Sequence, residues 1–106
     1  VHVSHLYQVL NPSMIRLIDM AVQGAHGQQR EIGVCGEMAS DELGALILIG
    51  LGVDELSVSP SMIPKIKEII RQSRYSELKQ LAQKVKNFET QDEVITEIER
   101  GIQYVN

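Results

Sequence analysis

Apolar residues recur at helical spacing early in the chain, at Met14, Leu17, Ile18, Ala21, Val22 and Ala25. That spacing predicts an amphipathic helix with one buried stripe. Asn11-Pro12 supplies its start, an N-cap followed by proline at the first helical position. Gly24 and Gly27 weaken its end. The period then changes. Ile32 to Cys35 is a short apolar run, predicted as a buried strand. From Asp41 to Leu51 the residues are apolar on almost every side (Leu43, Ala45, Leu46, Ile47, Leu48, Ile49), which predicts a helix buried on most faces and ended by Gly50 and Gly52. Leu56 to Val58 reads as a second strand. Ser59-Pro60-Ser61 then caps a helix whose Met62, Ile66, Ile69 and Ile70 turn inward, with Pro64 tolerated in its first turn.

The last third changes character. Tyr75, Leu78, Leu81, Ala82, Val85 and Phe88 form one stripe; Val94, Ile95, Ile98, Ile102 and Val105 form another. Thr90-Gln91-Asp92-Glu93 between them reads as a capping box. The predicted order is helix, strand, helix, strand, helix, helix, helix. Two short parallel strands leave both sheet edges open and cannot close a barrel. Helix 41–51 also demands apolar partners that the chain barely supplies. The expectation is an α/β fold: the last two βα units of an eightfold (β/α)8 barrel, followed by C-terminal helices. A small self-contained α/β or mostly helical domain is the alternative.

Length, charge and cysteine content narrow the function. A chain of 106 residues makes one domain at most. Its net charge of -4 and pI near 5.3 argue against binding nucleic acid or a membrane surface. No apolar run reaches the roughly 18 residues of a bilayer span. One cysteine closes no internal disulfide. A cytoplasmic protein is expected. The chain opens on Val1-His2-Val3 without an initiator Met, so a piece of a longer protein is expected too.

The candidate chemistry centres on Gly33-Val34-Cys35-Gly36-Glu37. A strand that ends in a reactive group, followed by a loop and a helix, is how a parallel barrel presents chemistry at its C-terminal rim. Cys35 is either a small buried hydrophobe or that reactive group. The flanking Gly33 and Gly36 let a ligand approach the backbone. Glu37 is either a solvated acid or a group that orients the thiol or its loop. Asp41 and Glu42 read as helix-start acids favoured by the dipole. Asp54-Glu55 falls at the strand's N-terminal end, where stability rather than chemistry is usual. Ser57 and Ser59 fall at the other end, placed to shape a phosphate pocket with the next helix. His2, His5 and His26 show no metal-binding spacing, and His26 reads as a surface residue.

The string from Gly33 to Glu42 closely resembles the cysteine signature of the phosphoenolpyruvate-protein phosphotransferases, the enzyme I family of the bacterial sugar phosphotransferase system. Ser4-His5-Leu6-Tyr7-Gln8 with Asn11-Pro12-Ser13, Leu51 to Ser59, and Ile63-Pro64-Lys65-Ile66-Lys67 match that family in order and spacing. The likeness is strong from Ser4 to about Arg74 and weaker beyond. It implies that residues 1–106 are the C-terminal part of the family's phosphoenolpyruvate-binding barrel, with 1–74 holding the last βα units and the cysteine loop and 75–106 the C-terminal helices. It implies that Cys35 is a general acid that protonates enolpyruvate, with Gly36 and Glu37 beside the substrate or supporting the thiol. A thiol suits that task, because an ordinary one (pKa about 8.5) keeps its proton at pH 7.

Other implications lie outside the segment. The phosphorylated histidine belongs to another domain, so His5 is not it. The Mg2+ ligands and phosphate-clamping arginines are expected upstream, and Arg16, Arg30, Arg71, Arg74 and Arg100 do not match the clamp. The implied partners are phosphoenolpyruvate and pyruvate, a small histidine-containing phosphocarrier protein that feeds sugar uptake, and a second copy of the barrel domain. The segment alone is expected to be inactive. Ser40 departs from the glycine common at that place in the family. The nitrogen-regulatory branch of the family, a pyruvate phosphate dikinase or phosphoenolpyruvate synthase relative, and a non-catalytic interaction module are the competing readings.

Overall fold

The computed structural model describes residues 10–105, with side chains described for residues 10–101. The element order is α1 (Pro12–Gly27), β1 (Gly33–Cys35), α2 (Glu37–Ser40), α3 (Glu42–Leu51), β2 (Glu55–Ser57), a 3-10 turn (Pro60–Met62), α4 (Ile63–Gln72), α5 (Tyr75–Val85) and α6 (Gln91–Val105). The predicted sequence of helices and strands is therefore found, with α2 added. The result is mostly helical around a two-stranded parallel sheet. Ser4 to Gln8, His2 and His5 lie outside the described residues, as do the side chains of Ile102 and Val105.

Asn11 starts α1 as its sequence requires: its side-chain oxygen accepts the Ser13 N–H at 2.8 Å, and Pro12 leads the helix. The expected stripe needs correction. Ile15 and Val22 are buried, but Met14 is 42% and Leu17 60% exposed, and Ala21 is exposed too. The helix carries apolar residues on two faces, and only one of them meets the core. On that buried side Asp19 accepts from the Lys86 ammonium at 3.0 Å. Arg16, one helical turn away, donates to the carbonyls of Lys86 at 2.7 Å and Phe88 at 3.4 Å. The first helix thus grips the link between α5 and α6. It ends without using Gly24 or Gly27: Gln29 takes the left-handed conformation (φ 60°), and the Arg30 N–H reaches back to the Ala25 carbonyl at 2.9 Å.

Helix α3 is buried along nearly its whole length, as its composition demands. The expectation that the chain barely supplies its partners is overturned, because α5 packs along it more extensively than any other helix pair, with α2, α4, α6 and α1 around the rest. Leu78, Ala82 and Val85 of α5 and Val94 and Ile98 of α6 supply the apolar cover. Gly50 does not end the helix. It sits inside it, and a Cβ there would collide with the backbone carbonyl of Leu78. The end is Gly52, left-handed at φ 97°, with the Val53 N–H bonded to the Leu48 carbonyl at 3.1 Å.

The other helices follow their apolar patterns except at Ile70 and Tyr75. The capping box at α6 forms in both directions: Glu93 N–H donates to the Thr90 hydroxyl at 3.2 Å, and Thr90 N–H donates to the Glu93 carboxylate at 3.0 Å. Ile66 is buried and Ile69 half-buried, but Ile70 is 42% exposed, because α4 presents only a narrow strip to α3. Tyr75, the first residue of α5, is 54% exposed, since the α5 contact with the core begins at Leu78.

Between α5 and α6, the Glu97 carboxylate takes Lys84 and Arg100. The hydrogen bond from Lys84 holds its pKa below the usual 4.5. A carboxylate depressed in the folded state stabilises the fold above its unfolded pKa, and that contribution is lost as pH falls through the lower, folded value. The chain should therefore lose stability below about pH 4.5, and Glu97→Gln should flatten that part of the profile. Urea midpoints measured from pH 6 to 3 check this; an unchanged acid limb in the variant would remove Glu97 as a contributor.

The strands pair in parallel with Gly33 opposite Glu55, Val34 opposite Leu56 and Cys35 opposite Ser57. They start and stop close to the predicted spans, but they are not buried. Gly33, Cys35, Glu55 and Ser57 are exposed and Val34 and Leu56 turn toward the core, because helices cover a single face of the sheet.

Candidate functional site

The two strands run in one direction, so their C-terminal ends gather Cys35, Ser57 and the loops that follow. Cys35 is a free, exposed thiol and not a buried hydrophobe. The next residue, Gly36, has φ 97° and ψ -162°, a backbone conformation that side-chain-bearing residues rarely adopt, and open space surrounds the place a Cβ would take. The chain then turns at once into α2. Met38 and Ala39 bury themselves in the core and pin that short helix. Glu37 and Ser40 stay at the surface above them.

An open cleft of about 860 Å³ lies between the loops, lined by Gly36, Glu37, Ser40, Asp41, Glu42, Ser57, Ser59, Met62 and Glu99 among others. Cys35 adjoins it through its chain neighbour Gly36 and its strand partner Ser57. The structure thus brings together Cys35, Gly36, Glu37, Ser57 and Ser59. It does not link Glu37 to the thiol by a hydrogen bond: among the described residues the Glu37 carboxylate has no such contact. Asp41 is the N-cap of α3, accepting the Gly44 N–H at 2.8 Å. Burial pushes its carboxyl pKa up from the ordinary value, partly offset by that hydrogen bond.

Ser59 does not serve a phosphate in the way the sequence suggested. Its side chain caps nothing. The turn that follows is three residues long and starts with Pro60, which has no N–H to offer. Ser59 is tied instead to Ser40. Its backbone N–H donates to the Ser40 Oγ at 3.0 Å, and the Ser40 hydroxyl lies 3.3 Å from the Ser59 Oγ. Among the described residues, no lysine or arginine lines the cleft. Its surface offers hydroxyls and carboxylates, with an exposed thiol beside it and nothing cationic among the described lining residues to hold a phosphate. Nor do the described residues contain three or more His, Cys, Asp or Glu side chains grouped to hold a metal ion. The described residues therefore do not fit a magnesium site.

At the opposite, N-terminal end of the strands, Asp54 is structural. One carboxylate oxygen meets the His26 Nε2 at 2.8 Å and accepts the Ile32 N–H at 2.9 Å. The His26 hydrogen bond holds the Asp54 pKa down, with the Ile32 N–H as the next cause. The surface assignment of His26 holds, but sequence reasoning missed its partner. It also missed the Ser40–Ser59 clasp. A lone histidine 28 positions from an aspartate, and two serines 19 apart, carry no periodic signal.

Comparison with known proteins gives a consistent answer. Residues 1–75 match the family described as PEP-utilising enzyme, PEP-binding domain. The chain is 41% identical over 102 residues, 96% of its length, to the phosphoenolpyruvate-protein phosphotransferase of Buchnera aphidicola subsp. Acyrthosiphon pisum. It is 41% identical over 98 residues, 92% of its length, to the protein of the same name from Listeria monocytogenes. The protein of that name from Buchnera aphidicola subsp. Baizongia pistaciae is 45% identical over 92 residues, 87% of this chain. The chain spans only 16–18% of the length of these relatives. Among the described residues, no helix is long and apolar enough to cross a membrane.

Proposed function

Because this chain belongs to the PEP-utilising enzymes, within their PEP-binding domain, we propose that it carries the proton donor of a phosphoenolpyruvate-protein phosphotransferase. In this reading the parent protein moves the phosphoryl group of phosphoenolpyruvate to a histidine. It then passes the group to a small histidine-containing carrier that serves sugar uptake. Cleavage of the oxygen–phosphorus bond leaves the enolate of pyruvate. Its C3 takes the proton of the Cys35 thiol, the enolate electron pair forms the new C–H bond, and the thiolate regains a proton from solvent. Cys35 forms no covalent bond to substrate. The observation that carries the reading is an exposed thiol at the C-terminal end of β1, beside an open cleft, in a chain of this family.

The remaining parts fall to residues beyond this chain. In this reading the phosphate clamp and the magnesium ligands come from the rest of the parent, in keeping with a cleft whose described lining carries no lysine or arginine. The two parallel strands with open edges, each followed by a helix, fit the closing units of a (β/α)8 barrel. The homodimer and the cytoplasmic setting complete the proposal.

Substrate protection tests it. In the full-length protein, saturating phosphoenolpyruvate with Mg2+ should slow alkylation of Cys35 by iodoacetamide about tenfold or more, as occupancy of the adjoining site shields the thiol. Alkylation at the free-enzyme rate under those conditions would place Cys35 away from the substrate.

A further inference from the structure

The thiol that the proposed reaction requires stands at the end of a three-residue strand, next to a glycine with open space around it. Met38 and Ala39 anchor the short helix that follows, but among the described residues no side-chain hydrogen bond within the loop holds the thiol's own end of it. The expected brace, Glu37, makes no hydrogen bond among the described residues. Yet proton transfer to carbon demands a donor held close to one face of the enolate, and a displacement of about 1 Å can cost about 10²-fold in rate. Something must fix the loop.

Ser40 is placed to do so. It ends the four-residue helix that starts directly after Gly36, and its own N–H reaches back to the Gly36 carbonyl at 3.4 Å. Its Oγ accepts the Ser59 backbone N–H at 3.0 Å and lies 3.3 Å from the Ser59 hydroxyl. Ser59 follows β2 by two residues, and Ser57, the last residue of β2, pairs with Cys35. The two hydrogen bonds therefore complete a ring: Cys35 to Ser57 through the sheet, Ser57 to Ser59 along the chain, Ser59 to Ser40 through the hydroxyl, and Ser40 to Gly36 through the short helix. Gly36, Ser40, Ser57 and Ser59 all line the cleft. The bond from Ser59 uses a backbone donor, so only Ser40 contributes a side chain to it.

We propose that Ser40 is a positioning residue for the Cys35 thiol, closing the cysteine loop onto the loop after β2 so that the proton is delivered to one face of the enolate. This rests on the reading of Cys35 as the proton donor. Ser40 itself does not touch substrate.

The test compares Ser40→Ala, Ser40→Thr and Cys35→Ala in the full-length protein. For Ser40→Ala the expected result is a kcat for pyruvate formation lower by about 10-fold. The KM for phosphoenolpyruvate should stay within about twofold, the pattern of an interaction needed in the transition state and not in binding. Phosphoryl exchange between the histidine and the carrier should keep its rate. Phosphoenolpyruvate deuterated stereospecifically at C3 and turned over in tritiated water should give a chiral methyl group with the wild-type enzyme and a largely racemic one with Ser40→Ala, because solvent then protonates the displaced enolate from both faces. Ser40→Thr, which keeps the hydroxyl, should recover most of the turnover and the chirality. Wild-type kcat and chirality in Ser40→Ala overturn the proposal. A parallel fall in pyruvate formation and carrier exchange with chirality retained overturns it as well, since it marks a general loss of folded protein. Full turnover by Cys35→Ala is a separate failure: it removes the proton-donor reading itself, whatever Ser40 does.

Discussion

Replacing Cys35 with alanine in the full-length protein should lower pyruvate formation from phosphoenolpyruvate by about 10²-fold or more, the scale of losing a positioned general acid. The thiol is exposed at the end of β1, and the neighbouring side chain tied down by hydrogen bonds across the cleft is a serine. The carboxyl in the cleft that is held by a hydrogen bond, Asp41, is engaged as the N-cap of α3. Phosphoryl exchange between the histidine and the carrier protein should survive, because that step places no proton on carbon. Rapid-quench measurement of pyruvate, alongside exchange of labelled carrier, separates the two. Wild-type pyruvate formation by the variant would take Cys35 out of the mechanism.

Gly50→Ala should destabilise the chain, by about 2 kcal/mol, and Gly50→Val by more. That sign is opposite to the usual one. Glycine inside an uncrowded helix is worth about 1 kcal/mol less than alanine, so the same change normally stabilises. At Gly50 the added methyl would meet the Leu78 backbone carbonyl and the Ala82 Cβ. A carbonyl in a neighbouring helix cannot swing aside, so α5 must move off α3 as a body. Gly24→Ala in α1 is the matched control, with nothing near its Cβ position, and should stabilise by about 0.5–1 kcal/mol. Urea unfolding of the three variants decides it. Gly50→Ala at or above wild-type stability would mean that α3 and α5 are not in tight contact at this point.

Much of this was legible in the residues because period and punctuation agree. Asn11-Pro12, Asp41 and Thr90 to Glu93 each mark a helix start by local hydrogen bonding, which needs only neighbours in sequence. The near-uniform apolarity of 43–51 dictated burial on most sides. The errors arose where one residue type served two contexts. Leu17 and Val22 belong to the same helical pattern, yet only Val22 meets the core. Gly50 looks like a helix stop and is a contact point, a distinction set by the Leu78 carbonyl, far along the chain in another helix. The site divides the same way. Cys35, Gly36 and Glu37 are contiguous and stand out as a motif. The Ser40–Ser59 clasp and the His26–Asp54 pair depend on the parallel register, which no local pattern encodes.

The match to the PEP-binding family stops at residue 75, yet α5 and α6, which begin at or beyond that point, roof the most apolar helix in the chain and are held to α1 by Arg16 and Asp19. The stretch matched as the PEP-binding domain and the stretch that must fold together are therefore different objects, and the phosphotransferase relatives themselves align over 87–96% of the chain. A chimaera spliced at residue 75 to follow the domain match would sever the cysteine loop's supporting helix from its own cover. Moving Cys35 and its loop between relatives requires carrying the C-terminal helices as cargo.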